Sequence, residues 1–309
     1  MRRPTLRFAA PAVLLFTASF SLAQVGSPTW TAPRVAAMSG GNAAARNAAR
    51  QELMGVVDRP GFPAAYPASI APDLLSLLKS ANPPTQLNAA VIAEHLAART
   101  VDPALIPVAS ALLGEKSESL ALWGVKTTRP FMAAGNAKLA REVAASVKAH
   151  PEFGPIADEA YAALVADNGA PGKGAPVSLS AVLSILESRT PRYLNGGAPP
   201  SPAAEAPLPV FLSVTCWSLA SDAERKQILS DLGDLACSAA RSVGDGNANP
   251  AVLQGVRNAA TALGVIGTKL NNASLIATAK SLEGINPGNA AQMAGTCQSL
   301  KAVVKVALP

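Results

Sequence analysis

Beyond about residue 42, apolar residues recur at helical spacing in paired segments separated by short breaks. The clearest stripe lies at i, i+3, i+4, i+7 and i+8 and consists of Leu105, Val108, Ala109, Leu112 and Leu113. This 3.6-residue period predicts an amphipathic α-helix. Asp102 is a favourable N-cap, and Pro103 suits the first helical position, where its missing N–H leaves no bond unmade. The pattern therefore predicts a helix that starts at Asp102-Pro103.

The pairing of helices repeats along the first half of the chain. The first helices of three pairs are expected to begin near Ala71, Asp102 and Asn136, which are 31 and 34 residues apart. Their partners are expected to begin near Thr85, Ser117 and Gly154, which are 32 and 37 residues apart. A period in the thirties with two helices in each unit is typical of an α-solenoid.

One of these pairs resembles a known repeat family. Residues 102–125 read DPALIPVASALLGEKSESLALWGV and resemble a HEAT-type repeat, with Asp-Pro at the start of the first helix and Pro107 inside it. Two positions depart from that pattern, since Ala121 replaces the usual arginine and Gly114-Glu115 replaces the turn aspartate. The resemblance covers about residues 67–167. It implies a binding scaffold and no particular chemistry.

The second half of the chain changes in composition. Residues 169–208 are rich in Gly, Pro and Ala, which predicts a linker with one short helix, Val177–Arg189, and a long loop over Thr190–Pro209. In residues 209–309, helical segments are expected at Leu212–Leu219, after the capping box Ser221–Glu224, after Asn249-Pro250, and over Ala273–Glu283 and Asn289–Leu308. Short loops between them favour a small antiparallel bundle. The fold class predicted is all-α: a HEAT-like α-solenoid followed by this bundle.

The N-terminus has the three parts of a secretory signal peptide. Arg2, Arg3 and Arg7 precede a short apolar run, Phe8–Phe20, and the small residues Ser21 and Ala23 precede Gln24. We expect residues 1–23 to be removed by cleavage between Ala23 and Gln24. Residues 24–41, with Gly26, Pro28 and Pro33, then predict an extended leader before a helical repeat region at 42–168. The chain is expected to be exported, to the periplasm or the medium.

Charge and hydropathy argue against a nucleic-acid partner and against a membrane-spanning helix. Without the three signal arginines, the 26 basic residues become 23 against 20 acidic ones, a net charge of +3. This balance gives no electrostatic footprint for nucleic acid. No later apolar run approaches the roughly 20 residues of a spanning helix, so no membrane span is expected in the mature chain.

No constellation of residues predicts a catalytic, cofactor-binding or metal site. His95 and His150 are the only histidines, the first on an apolar helix face and the second at a helix end. Ser76 and Lys79 match Ser-x-x-Lys, but the companion Lys-Thr-Gly and Ser-Asp-Asn motifs are missing from the sequence. Paired carboxylates such as Asp231 and Asp234 are expected on solvated helix faces. Accordingly no cofactor is predicted.

The three cysteines leave a choice of thiol pairing. Cys216 and Cys237 would be separated by roughly 15 Å along a straight helical hairpin, too far for a disulfide. Cys237 with Cys297 is the better pair, while Cys216 with Cys297 stays open if the last helix packs back on the first. Three reduced, buried cysteines are an equally open alternative.

Three functions fit these observations. The first is a non-catalytic binding or assembly scaffold of the bacterial cell envelope, which holds another protein on its helical-repeat surface. The second is a helical enzyme, a lyase or hydrolase, with an unrecognised site. The third is a structural envelope protein that self-associates. The scarcity of His and the lack of nucleophile motifs favour the scaffold.

Overall fold

A computed structural model describes residues 25–40, 42–167, 175–246, 249–285 and 289–307. These residues form helices and turns without a β-strand, so the prediction of an all-α chain is confirmed for them. The predicted signal peptide with its Ala23–Gln24 cleavage site, and the glycine-rich part of the predicted linker at 169–174, lie outside the described residues. None of the helices in the described ranges has both the length and the apolar character needed to cross a membrane.

The α-helices in chain order are α1 Pro28–Ser39, α2 Ala43–Met54, α3 Tyr66–Leu78, α4 Pro83–Thr100, α5 Ile106–Leu113, α6 Glu118–Met132, α7 Ala137–Ala149, α8 Gly154–Leu164, α9 Leu179–Arg189, α10 Leu208–Val210, α11 Asp222–Gly244, α12 Pro250–Lys269, α13 Ala273–Glu283 and α14 Ala290–Val306. Within the described residues, 3₁₀ turns occur at Pro103–Leu105, Thr190–Gly196 and Pro202–Glu205. A π-helical turn, Phe211–Cys216, continues α10.

The predicted helix starts are confirmed where a side chain caps the first turn. The Asp102 carboxylate accepts a hydrogen bond from the Ala104 N–H at 2.8 Å, at the start of the 3₁₀ turn that leads into α5. Asn136 caps α7 by accepting from the Leu139 N–H at 3.1 Å. At α11, Ser221 and Glu224 form the complete capping box. These short polar side chains satisfy N–H groups that have no partner inside the helix.

The helices up to α9 contact one another in a regular order. Each of the pairs α1–α2, α3–α4, α5–α6 and α7–α8 packs together. The first members contact their successors from α1 through α3, α5 and α7 to α9, and the second members do so from α2 through α4 and α6 to α8. The chain therefore builds one layer from the first helices and a second layer from their partners.

The expected extended leader at residues 24–41 is wrong over Pro28–Ser39, which forms α1. Pro28 occupies the first helical turn, where it is tolerated, although Pro33 lies inside the helix. Tertiary contacts offset that cost. Met38 is fully buried, and Arg34 Nε lies 2.6 Å from Glu52 Oε2 on α2 while its guanidinium stacks over Trp30.

The middle segment, residues 179–205, consists of α9 and the two 3₁₀ turns that follow it. Its predicted helix is confirmed as α9, but the expected long loop over Thr190–Pro209 is wrong, because much of it is helical and packed. The first turn contacts α11, and the second contacts α8 and α12. The segment therefore packs against helices of both halves of the chain.

A buried ion pair holds the middle segment together. Arg189, at the end of α9, donates from Nε to Glu205 Oε1 at 2.5 Å, and the two residues are only 5% and 2% exposed. The same guanidinium donates to the carbonyl oxygens of Pro200 and Ser201, and Tyr193 donates to Glu205 Oε2 at 3.2 Å. These bonds fix the path of the chain from α9 to the second 3₁₀ turn.

The C-terminal helices also contact in order. Helix α11 packs against α12 and α14, and α13 packs against α12 and α14. The division of the chain into a repeat region and a separate C-terminal bundle stays a prediction.

Replacing Glu205 with alanine should destabilise the protein strongly, because Arg189 would be left as an uncompensated buried charge. We expect the free energy of unfolding, measured by urea titration, to fall by about 3–5 kcal/mol. The matched control is Glu152→Ala, which removes the partner of Arg192 from a carboxylate that is 73% exposed. That control should leave the unfolding midpoint unchanged, and equal effects of the two substitutions would contradict the role given to the buried pair.

Candidate functional site

The residues weighed for chemistry from the sequence do not come together in the structure. His95 Nε2 lies 3.3 Å from Asp58 Oδ2. His150, at the end of α7, has its Nε2 3.1 Å from the Glu115 carbonyl oxygen. Ser76 is exposed on α3. No group of three or more His, Cys, Asp or Glu side chains within the described ranges is arranged to hold a metal ion.

The structure brings Cys237 and Cys297 together. They lie on the contacting helices α11 and α14, and each Sγ is within 4 Å of the other residue's carbonyl oxygen, at 3.8 and 3.9 Å. All three thiols are free and buried. A hydrogen bond between the two thiols raises the pKa of Cys237 and lowers that of Cys297, while burial raises the pKa of Cys216.

If one disulfide forms, it should join Cys237 to Cys297. Closing a loop of about 60 residues would stabilise the fold by on the order of 4 kcal/mol in the chain-entropy model. Peptide mapping without reductant should identify that pair and a free Cys216 thiol. A bridge that includes Cys216 would contradict the prediction, and a fully reduced exported protein would show that the pair stays unoxidised.

A groove crosses the second layer of helices at α2, α4 and α6. It encloses about 500 Å³ and is lined by Asn47, Arg50, Pro83, Pro84, Gln86, Leu87, Asn88, Ser117, Ser119 and Leu120. We call it the second-layer groove. Its lining residues come from α2, from the first turns of α4 and from the start of α6. Helix α4 contacts both α2 and α6, and residues of all three helices line the groove.

Arg50 dominates the electrostatics of the second-layer groove. It is the only charged side chain among the described residues that line the groove. It donates from Nη1 to Asn88 Oδ1 at 2.9 Å, whereas its buried Nε has no hydrogen-bond partner. No carboxylate of the described part of the chain pairs with it. Because Arg50 has no carboxylate partner there, its guanidinium can donate to an incoming carboxylate, the group that its planar geometry fits best.

The rest of the groove combines apolar and uncharged polar surface. Pro83, Pro84 and Leu87 form an apolar strip, and Leu87 is 40% exposed. Side-chain amides and hydroxyls flank this strip, and Ser117 precedes α6 without capping it through its side chain. Such a lining can pack against side chains and hydrogen-bond to the backbone of an extended peptide. The sequence alone does not indicate this site, because its only signal there is a lone arginine on α2 and two helix starts distant from it in the chain.

A second cleft lies between the middle segment, α11 and α14. It encloses about 320 Å³, and its lining consists of Glu187, Thr190, Pro191, Leu194, Asp231, Asp234, Ser238, Arg241 and Lys301. We call it the acidic cleft. The expectation that Asp231 and Asp234 both lie on a solvated helix face is wrong for Asp231, which is 7% exposed. The middle segment covers this face of α11, which the helical period alone could not reveal.

Asp231 is the perturbed group of the acidic cleft. Gln227 donates to its Oδ1 at 2.9 Å, but its buried Oδ2 has no hydrogen-bond partner. Burial raises its pKa from 3.8 to about 6, and the nearby charges of Glu187 and Asp234 act in the same direction. Above pH 6, Asp231 is therefore mostly a carboxylate, and its unpaired Oδ2 makes this charged form unfavourable in the folded protein.

Asp231→Asn should therefore stabilise the protein, and only at higher pH. Between pH 3.8 and 6 the native state binds more protons than the unfolded state, so wild-type stability falls as the pH rises through this window. Relative to wild type, the variant should gain on the order of 1–2 kcal/mol above pH 6, and the gain should vanish near pH 4. Urea titrations across this range measure the difference.

The control is Asp222→Asn, whose carboxylate is 87% exposed at the start of the same helix. It should give no gain above pH 6. A gain for Asp231→Asn that is the same at every pH would contradict the linkage to its ionisation.

Comparison with known proteins gives no relative from which a function could be inferred: no family model matches the chain, and no curated protein is significantly similar to it.

Proposed function

We propose that this chain is an exported, non-catalytic α-solenoid scaffold of the bacterial cell envelope. Its partner is another protein, which places an extended, carboxylate-bearing segment in the second-layer groove. The observation that carries the proposal is the unpaired Arg50 in an otherwise uncharged groove of the helical layers.

The order of the helix contacts supports the solenoid part of the proposal. In a HEAT-like array, first helices stack on first helices and second helices on second helices, and each unit packs on its neighbours. The contacts from α1 to α9 follow this order, with α1–α2 as one unit more than the sequence pattern indicates. After them, the mutual contacts of α11 to α14 support a small antiparallel bundle.

The chemistry of the groove supports a peptide as the occupant. Arg50 is partly exposed and has no carboxylate partner among the described residues, so a carboxylate at this position would form a charge-assisted hydrogen bond with its guanidinium. The apolar strip at Pro83, Pro84 and Leu87 can accept side chains on one side of an extended segment. An aspartate or glutamate side chain or a C-terminal carboxylate would supply the charge.

Export rests on residues 1–23, which combine a basic head, a short apolar run and small residues before Gln24. Protein recovered from the periplasm or the medium should begin at Gln24. A Met1 start in that fraction would contradict the cleavage.

Site-specific cross-linking in cells tests the partner. A photo-reactive phenylalanine analogue at Leu87, in the groove, is compared with the same analogue at Ile276 on α13, because these two side chains are 40% and 38% exposed. We expect a cross-link from Leu87 only, to a protein segment that contains a carboxylate next to the linked residue. A synthetic copy of that segment should compete, and its amidated or Asn/Gln-substituted form should not.

Arg50→Ala should lower the yield of this cross-link by about tenfold or more, because it removes a charge-assisted hydrogen bond. Arg59→Ala, at an exposed arginine outside the groove, is the matched control. Equal yields from Leu87 and Ile276, or a yield that Arg50→Ala does not change, would overturn the site. A cross-link to a second copy of this chain would favour the self-associating structural protein instead.

A further inference from the structure

We propose that the acidic cleft binds a small alkylammonium compound with one positive charge. This site lies between the middle segment, α11 and α14, and it does not depend on the function proposed for the second-layer groove.

The charged side chains that line the cleft do not fully compensate one another. Its lining carries the three carboxylates Glu187, Asp231 and Asp234 against the two cations Arg241 and Lys301, which gives a net charge of −1. Lys301 Nζ lies 3.7 Å from Asp234 Oδ1, so these two groups compensate each other. Neither Glu187 nor Asp231 pairs with a basic side chain in the part of the chain that the structure describes. A single monovalent cation would balance the cleft.

Asp231 points to where the cation binds. Its carboxylate is more than nine-tenths buried, it lines the cleft, and its Oδ2 has no hydrogen-bond partner. A buried carboxylate oxygen without a donor is unfavourable, and an ammonium N–H is the donor that satisfies it best. Glu187 faces the same space from α9 and supplies a second negative charge.

The remaining lining favours an organic cation over a metal ion. The carboxylates are not grouped closely enough to coordinate a metal, as judged over the described residues. Pro191 and Leu194 offer apolar surface for a short alkyl chain, and the hydroxyls of Thr190 and Ser238 offer acceptors for further N–H groups. The volume of about 320 Å³ accommodates a compound of a few carbons. Arg241 and Lys301 disfavour a second positive charge on the ligand.

The probe is butylammonium, titrated against the full mature chain and followed by amide chemical-shift changes or calorimetry. We expect saturable binding with a Kd on the order of 1 mM near neutral pH, since a ligand of so few atoms has a limited affinity. The uncharged analogue 1-butanol should bind at least about tenfold more weakly if the ammonium group is recognised. Lowering the pH to about 5 should weaken binding by about tenfold, because most Asp231 side chains are then protonated.

Asp231→Asn should weaken butylammonium binding by at least about tenfold, because it removes the carboxylate that receives the ammonium group. Asp222→Asn on the same helix should leave it unchanged. If Asp231→Asn fails to fold, Glu187→Gln at an exposed position of the cleft provides the second variant. Absence of saturable binding, equal binding of 1-butanol, or binding that neither cleft variant weakens would overturn the proposal.

Discussion

The buried pair of Arg189 and Glu205 is the interaction on which the arrangement of the chain depends. Removing two charges from water is costly, and the cost is offset here by close contact between the charges and by bonds from Tyr193 and to two backbone carbonyls. The geometry ties the end of α9 to a 3₁₀ turn that contacts both α8 and α12. A segment whose composition is that of a linker is thereby held in one packed conformation.

Small residues determine how closely the helices of the repeat region approach. A Cβ atom at Gly124 of α6 would lie 2.8 Å from the Leu113 N of α5, so only glycine permits this crossing. On α4, Ala89, Ala90, Ala93 and Ala97 are all fully buried. Alanine loses little side-chain entropy on burial, so a helix can pack closely with few large hydrophobic residues. The first turns of α4 and the start of α6 line the second-layer groove.

The two candidate sites each contain a charged side chain with a buried atom that lacks a hydrogen-bond partner, and the two charges are opposite in sign. Arg50 in the groove and Asp231 in the cleft are ionisable side chains with an atom that the protein leaves unsatisfied. Elsewhere the same fold pairs its buried charges, as at Arg189 and Glu205. A ligand of opposite charge would complete each of these groups, which is the shared basis of the two proposed sites.

The sequence by itself determined the features that depend on neighbours within one helical turn. Caps such as Asp102, Asn136 and Ser221 act on N–H groups two or three residues away, and the apolar stripes follow the helical period, so the helices of both halves were predictable. Helix lengths argued only against a Cys216–Cys237 pair, whereas the contact between α11 and α14 brings Cys237 to Cys297. Only the tertiary structure decided that residues 28–39 are helical, that residues 190–205 are packed, and that Asp231 is covered. Each of these depends on a partner distant in sequence, such as Glu52 for Arg34 or Glu205 for Arg189, and local propensity carries no information about such pairs.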